Sequence, residues 1–406
     1  MTDLQRFETV FSGFAADSEQ RRAAFERFRT QGLPSKRQEE WKYTDLAGLD
    51  RAELAPRATG PAPMPIAADM DGPVLVFTNG YLDAEASRLS PLPEGLSIAT
   101  DAEPASSQGD NALAALNAAF APACAVVKVA DGAAVADPVQ LIYRVTDAEA
   151  KAAHTKVRVE VGASASLVLA ERFDGDAAAY WQNQVMDVAV ETEGRLTHVL
   201  LQQDGPRSVH SGLTRALLAG RARYRRFDLQ TGGEIARNEV HVTHTEEGAH
   251  SDVRVAQMGL GGQSLDTRTF LDHRVADTTS DQKARAVVAA QGKTTFQGKV
   301  RVARDAQRTD AQQHSKALLL DETAVANTKP ELEIYADDVV CAHGATVGQL
   351  DDAALFYLLQ RGIPLAQAKA LLIEAFVADL FDDLDHEPLR DALVAATQDW
   401  FERDKA

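Results

Sequence analysis

Two side chains near the C-terminal end of the sequence could bind a metal together. Cys341 and His343 follow a run from Leu332 to Val340 that has the β-branched character of a strand. Side chains two positions apart on a strand point to the same face, so the thiolate and the imidazole are expected side by side, with Ala342 directed away. Both groups are good donors to iron or zinc. Two donors are only part of a metal site, and the simpler interpretation of these residues alone is an inert cysteine beside a histidine on a polar face.

The elements that would hold this pair are strands before it and helices after it. Between about residues 74 and 347, short alternating runs are separated by glycine-containing turns, and the pattern recurs at intervals of very roughly thirty residues. A β-sandwich of about a hundred residues would end much sooner. The continued strand pattern therefore favours a solenoid such as a β-helix.

Helical patterns lie at both ends of the chain. Residues 1–55 contain apolar side chains at three-to-four spacing, and residues 56–73 are rich in proline and glycine, which is typical of a linker. The predicted β core spans 74–347, and a C-terminal helical region spans 348–406. There, Gly362 is expected to end a first helix, and Pro364 suits the first turn of a second. The simplest role of the apolar positions on these helices is packing within the chain.

The composition excludes several classes of protein. The 406 residues are 45% hydrophobic and 25% charged, and the formal net charge is −18. This acidic balance argues against a surface for nucleic acid or anionic membranes, because such surfaces are usually basic. The N-terminal residues have no apolar signal-peptide core, and the longest apolar stretch is too broken to span a bilayer. A cytoplasmic protein is therefore expected.

Cysteine is scarce, since Cys124 and Cys341 are the only two in the sequence. One disulfide could not hold together a chain of this size, so a disulfide framework is excluded. The same count limits cluster chemistry, because four thiolates usually hold an iron–sulfur cluster. Any cluster that this chain contacts must be shared with another chain or use other kinds of ligand.

Two further patterns resemble sites but lack a necessary part. The run 292–294 has the sequence that ends a phosphate-binding loop, but Val287 stands where such a loop requires a glycine, so no nucleotide site is expected. His241 and His244 should lie on opposite faces of a strand because they are three positions apart. Together with His250, they are interpreted as solvated residues of the outer face.

Three blocks of the sequence resemble the SufB/SufD family. The most specific block runs from Thr328 to Gly362 and contains both Cys341 and His343. A second block combines the runs 296–299 and 305–311, and a third lies within 33–46. The region from about residue 55 to 155 matches poorly. Within the family, the low cysteine count resembles the SufD subunits, because SufB subunits are typically longer and carry additional cysteines that receive sulfur.

The resemblance implies a fold, a set of partners and a shared site. The implied fold is a right-handed parallel β-helix flanked by N- and C-terminal helical domains. The implied complex pairs this chain with a SufB-like subunit, docks a SufC-like ATPase on the C-terminal helices, and forms a transient iron–sulfur cluster, or binds iron, at the SufB interface. His343 matches the histidine implicated as an interface ligand, and Cys341 matches the nearby cysteine. The candidate docking residues, some of which also belong to the core, are Leu355, Phe356, Leu358, Leu371, Leu372 and Phe376.

Three functions remain open at this point. The first is an assembly scaffold without turnover of its own, which forms a homodimer when the SufB-like subunit is absent. The second is a carbohydrate-active β-helix enzyme, disfavoured by the missing export signal and by an aromatic content of only 6%. The third is an architectural subunit in which Cys341 and His343 are incidental. Flavin has been associated with the family's complex, but no residue of this sequence indicates a flavin site.

Overall fold

The computed structural model describes residues 3–14, 18–46, 49, 70–101, 111–146 and 152–403. Two sheets form its centre, and helices lie toward both ends of the chain. The helices are α1 (Asp3–Phe14), α2 (Glu19–Gln31), a short 3₁₀ helix (Glu39–Trp41), α3 (Ala112–Phe120), α4 (Asp352–Gln360), α5 (Leu365–Ala378) and α6 (Glu387–Arg403). Of the predicted linker, residues 56–69 lie outside the described residues.

The strands form one ten-stranded and one nine-stranded sheet. In spatial order, the ten-stranded sheet contains β2 (Tyr81–Leu82), β1 (Val74–Thr78), β5 (Val139–Val145), β7 (Ser166–Gly175), β9 (Arg195–Gln202), β11 (Arg223–Gln230), β13 (His250–Gly259), β15 (Thr279–Val288), β17 (Asp310–Leu319) and β19 (Val340–Gly348). The nine-stranded sheet contains β3 (Leu96–Asp101), β4 (Cys124–Val129), β6 (Ala152–Val161), β8 (Trp181–Val190), β10 (Val209–Leu218), β12 (Ile235–His244), β14 (Ser264–His273), β16 (Lys293–Val302) and β18 (Val325–Ile334).

The chain winds between these sheets as a parallel β-solenoid of about eight turns, which confirms the predicted fold class. From β4 onward, consecutive strands alternate between the sheets, and every pair of hydrogen-bonded neighbours is parallel. The register carries each strand onto the next: Val209 pairs with Ile235, and Ile235 with Ser264. Side chains one turn apart are separated by about 26 to 32 positions, which accounts for the irregular thirty-residue interval in the sequence.

The interior of the solenoid is built from alternate residues of each strand. Val240 and Val242 of β12 face inward with Val253 and Val255 of β13, and all four are buried in one long apolar cluster. Since the side chains of a strand alternate between faces, the residues between them point outward. Tight turns join the strands, and a Cβ added at Gly292 would lie 2.7 Å from a backbone oxygen of the turn before it. Successive turns therefore pack backbone against backbone.

Helices cover part of the outer face of each sheet. The N-terminal helices α1 and α2 pack with α3 in an aromatic cluster that includes Phe28 and Phe120 and reaches Trp181 on the nine-stranded sheet. The C-terminal helices α5 and α6 pack on the ten-stranded sheet, where Ile373 and Trp400 join a separate buried cluster. Ion pairs such as Arg225 with Asp385, at 3.0 Å, add to that contact.

Two features differ from the sequence-based predictions. Helix α3 lies inside the range predicted to be β. The prediction missed it because its residues are buried on all sides, so the sequence has no amphipathic pattern to indicate a helix. His244 was predicted to be solvated, and this was wrong: it is fully buried inside the solenoid and stacks on His273 with ring centroids 4.1 Å apart. His241 lies on the opposite face of β12, as its spacing from His244 predicts. Among the described residues, none of the helices has both the length and the apolar character required to cross a lipid bilayer.

Candidate metal centre at the C-terminal end of the solenoid

Cys341 and His343 lie on β19, the last strand of the ten-stranded sheet. Cys341 pairs with Ala311 of β17, and His343 pairs with Gln313. Ala311 and Gln313 are each only 1% exposed and belong to the inward-facing set of β17. Because parallel neighbours in register present their side chains to the same face, the thiol and the imidazole both belong to the interior side of the last turn.

The two side chains nevertheless differ in their surroundings. Cys341 is half-buried and packs against the apolar interior cluster. Burial raises the pKa of the Cys341 thiol, a backbone hydrogen bond from Ala311 opposes this rise, and the charge of Asp310 adds to it. His343 is exposed. The chain by itself therefore holds a neutral Cys341 thiol beside the accessible imidazole of His343. The thiol would have to lose its proton to bind a metal.

The last turn of the solenoid ends in two open strand edges. β18 and β19 stand at the ends of their sheets, and within the described residues neither has a strand on its outer side. The exposed large apolar side chains on or next to these strands are Val325, Ile334, Tyr335, Val340 and Val347. Such an edge has unpaired backbone N–H and C=O groups and can accept a further strand from another chain.

The donors supplied by this chain form only part of a coordination shell. In the described parts of the chain, no group of three or more histidine, cysteine, aspartate or glutamate residues is placed to hold a metal ion. A tetrahedral iron or zinc centre needs four ligands, so Cys341 and His343 could fill at most half of one. Their ligand role stays a prediction, and it requires donors from a second chain.

Two polar side chains near this pair were missed by the sequence analysis. Gln313 Oε1 and Thr328 Oγ1 are buried and have no hydrogen-bond partner. Gln313 lies one strand below His343, and Thr328 lies on β18, in register with the buried Phe296 of β16. Side chains alternate between the two faces of β17, so the sequence places Gln313 on the same face as Ala311. It does not show that this face is the inner one. Unpaired buried polar atoms are uncommon in proteins and therefore need an explanation.

A network of charged and polar side chains lies deeper inside the solenoid. Arg226 donates to both carboxylate oxygens of Asp228, at 2.8 and 2.9 Å, and to Thr214 Oγ1 at 2.7 Å. Glu171 and the ring of His198 lie beside it, 2.7 Å apart. Burial tends to raise the pKa of Glu171, but the hydrogen bond and charge of His198 hold that pKa below its ordinary value. These residues are at most 2% exposed, which makes the network a structural feature without access for a substrate.

The predicted docking residues on α4 and α5 fall into two groups. Phe356 is 62% exposed, and Leu371 is also exposed. Leu355, Leu358, Leu372 and Phe376 are half-buried. Helix α4 has no buried residue, whereas Phe376 packs on the sheet beside Arg285, whose guanidinium lies 5.1 Å from its ring centre. Of the six residues, Phe376 packs against a buried cluster, and docking through this set stays a prediction.

A cavity of about 580 Å³ lies between part of these helices and the turns of the solenoid. Its walls include Leu320 and Asp321 from the solenoid and Leu355, Lys369 and Ile373 from the helices. In the run 292–294, Gly292 belongs to the tight turn before β16, Lys293 begins that strand, and the ammonium group of Lys293 donates to the backbone oxygen of Tyr43 at 3.1 Å.

Comparison with known proteins identifies the family to which this solenoid chain belongs. A family model described as "SUF system FeS cluster assembly, SufBD core domain" matches residues 143–376, and one described as "SufBD protein N-terminal region" matches residues 14–53. The chain belongs to the SufB/SufD family of iron–sulfur cluster assembly proteins. This confirms the resemblance found in the sequence.

Individual relatives agree with this assignment. The chain is 32% identical over 381 residues to the iron-sulfur cluster assembly protein SufD of Escherichia coli, with 90% of this chain and 88% of that protein aligned. It is 29% identical to an iron-sulfur cluster assembly SufBD family protein of Synechocystis, over 87% of this chain and 84% of that one. It is also 29% identical to the chloroplastic protein ABCI7 of Arabidopsis thaliana, over 88% and 80% of the two chains. The predicted likeness to SufD is confirmed, and the cytoplasmic location stays a prediction.

Proposed function

We propose that this chain is a scaffold subunit without turnover of its own that pairs with a SufB-like subunit through the open end of its solenoid. The observation that carries the proposal is the last turn, where two unpaired strand edges, exposed apolar side chains and the Cys341–His343 pair occur together. A related solenoid could add its own strands to these edges and bury the apolar residues. Without that subunit, a second copy of this chain would cover the same edges as a homodimer.

In this arrangement the iron–sulfur cluster is a transient cargo held between two subunits. His343 and Cys341 supply part of its ligands, and thiolates of the SufB-like subunit supply the rest. Mixed imidazole and thiolate ligation of iron–sulfur centres is chemically established. Closing the interface would also exclude water from the centre and change the surroundings of the Cys341 thiol.

The test of the ligand role uses His343→Ala in the complex co-expressed with SufB-like and SufC-like subunits. We expect the iron and sulfide content of the purified complex to fall, while the amount of SufB-like subunit that co-purifies stays the same. The matched control is His314→Ala, because His314 is exposed on the outward face of the neighbouring strand β17. Unchanged cluster content in His343→Ala would refute the ligand role and leave the family assignment intact.

We also propose that the C-terminal helices dock a SufC-like ATPase. The support is the exposure of Phe356 and Tyr357 on α4, a helix that buries none of its own residues in this chain. Large exposed apolar side chains that lie together are typical of a protein interface. Nucleotide hydrolysis would then belong to the partner.

A charge placed on α4 tests this docking without damaging the core. Phe356→Glu should abolish or strongly weaken co-purification of the SufC-like ATPase, because it would bury an unpaired carboxylate in the contact. Leu217→Glu is the control, since Leu217 is 53% exposed on the solenoid, away from α4. Equal ATPase recovery with both variants would contradict docking through α4.

A further inference from the structure

A column of inward-facing residues runs along the ten-stranded sheet and ends at His343. Gln282 of β15 pairs in register with Gln313 of β17, and Gln313 pairs with His343 of β19. Neighbouring strands are about 4.8 Å apart, so same-face side chains in register lie within hydrogen-bonding reach of one another. Gln282 and Gln313 are buried, and only His343 at the end of the column is exposed.

The amide of Gln313 has a fixed orientation. Its Nε2 donates to the backbone oxygen of Gly298 at 3.3 Å, on the opposite sheet. A carbonyl oxygen can only accept, so the nitrogen of the amide must be the atom that faces Gly298. The absence of a side chain at Gly298 makes this contact possible, because an added Cβ would lie 2.2 Å from Gln313 Nε2. Gln313 Oε1 is then the acceptor atom of the same amide.

This oxygen is buried and has no partner, which is costly. A carbonyl oxygen can accept two hydrogen bonds. One donor available from below is Gln282 Nε2, which is also buried without a partner while its Oε1 accepts from the Thr269 hydroxyl group. The donor available from above is a ring N–H of His343, the in-register residue of β19.

We propose that Gln313 is the positioning residue for His343: Gln313 Oε1, which has no partner in the structure, accepts a ring N–H once the exposed His343 side chain turns toward it, and this contact selects one imidazole tautomer. The other ring nitrogen then presents its lone pair toward the open end of the solenoid, where the second subunit docks. Histidines that bind metals usually donate their second ring nitrogen to a carbonyl or carboxylate group, which fixes the ring and makes it a better ligand. The value of this lone pair as a ligand rests on the function proposed above, whereas the hydrogen bond itself does not.

The experiment measures the tautomer of His343 in the full-length chain. Histidine is labelled with ¹⁵N in the ring, spectra are recorded at a pH well above the ordinary histidine pKa, and the His343 signals are assigned from their loss in His343→Ala. We expect the ratio of the two tautomers to change by about fivefold in Gln313→Leu, as expected for one hydrogen bond of ordinary strength.

Two controls separate this contact from its neighbours. Gln312→Leu alters a half-buried side chain on the opposite face of β17 and should leave the tautomer ratio unchanged. Thr328→Val removes the other unpaired buried oxygen at this end, and it should also have no effect, since the proposal assigns the proton acceptor to Gln313. A ratio that is the same in the unmodified chain and in Gln313→Leu, or one that shifts only in Thr328→Val, would overturn the assignment.

The outcome is independent of the ligand test on His343. If Gln313→Leu changes the tautomer but His343→Ala leaves the cluster content of the complex unchanged, the positioning contact is real and the ligand role fails. If the tautomer does not respond while His343→Ala loses the cluster, the ligand role survives and Gln313 is only a core residue. When both hold, Gln313→Leu should lower the cluster content of the complex.

Discussion

The Arg226–Asp228 pair inside the solenoid provides a quantitative test of how this fold holds charge in its interior. Arg226 is 1% exposed and Asp228 is fully buried, and two hydrogen bonds of 2.8 and 2.9 Å join them. Burial raises the pKa of Asp228 above its ordinary value even though the guanidinium group opposes that rise. Removing Arg226 therefore leaves a carboxyl group that has neither solvent nor its guanidinium partner.

The expected size of this effect follows from the burial of both groups. Breaking a buried ion pair by removing one partner costs about 3–5 kcal/mol, whereas replacing both partners with apolar residues of similar volume is often close to neutral. An unfolding entropy of about 2.1 cal/mol/K per residue gives roughly 0.85 kcal/mol/K for 406 residues. Arg226→Met should then lower the thermal midpoint by about 4–6 °C if the chain unfolds as one unit.

The assay is a double-mutant cycle read by thermal unfolding. Arg226→Met and Asp228→Leu should each be strongly destabilising, and the double variant should be clearly more stable than the sum of the two effects predicts. Arg221→Met is the surface control, because both Arg221 and its partner Glu193 are exposed to solvent and such surface pairs contribute little to stability. Additive effects in the cycle, or equal losses in Arg226→Met and Arg221→Met, would refute the reasoning.

Two further predictions concern burial elsewhere in the chain. Burial lowers the pKa of His154 from 6.5 to about 3. As the pH falls, the His154 ring is therefore protonated in the unfolded chain before it is protonated in the folded chain. The stability due to the neutral ring is complete above pH 6.5 and is lost as the pH falls toward 3. Below pH 6.5 the unfolding midpoint should fall less steeply in His154→Gln than in the unmodified chain, and His314→Gln, at an exposed position, should behave like the unmodified chain. Identical pH profiles for all three chains would contradict the role of His154. Gly205→Ala should be destabilising by on the order of 1–3 kcal/mol, because the new Cβ would lie 1.9 Å from the backbone oxygen of Asp176. Gly348→Ala, which meets nothing within 4 Å, should unfold like the unmodified chain in the same urea titration, and equal midpoints for both variants would disprove the steric argument.

The interior network shows why some of this structure could not be predicted. Arg226, Asp228 and His198 meet because strands about 28 positions apart lie next to each other, and no local pattern encodes that separation. Polar residues occur on both faces of these strands, so alternation alone does not reveal which face is inner. His244 was therefore assigned to the wrong surroundings, although its orientation opposite to His241 was correctly predicted.

Local patterns predicted the C-terminal elements well for an equally physical reason. Asp351 caps the start of helix α4, and its side chain accepts hydrogen bonds from the backbone N–H groups of Ala353 and Ala354. Gly362 follows the end of the helix with a positive φ of 82°. Capping and glycine termination depend only on a few neighbouring residues. The same locality explains why the spacing of Cys341 and His343 correctly predicted a shared face.

The sequence by itself determined the solenoid class, the family and the shared face of Cys341 and His343, because strand alternation, turn glycines and the C-terminal motif are all properties of contiguous residues. Tertiary structure alone decided that this face is the interior one, that it opens at the last turn, and that the buried Gln313 lies beneath His343. Those facts depend on the register between strands a full turn apart. The proposed metal ligand His343 and the residue proposed to orient it, Gln313, are thus thirty positions apart in the chain and adjacent in the sheet.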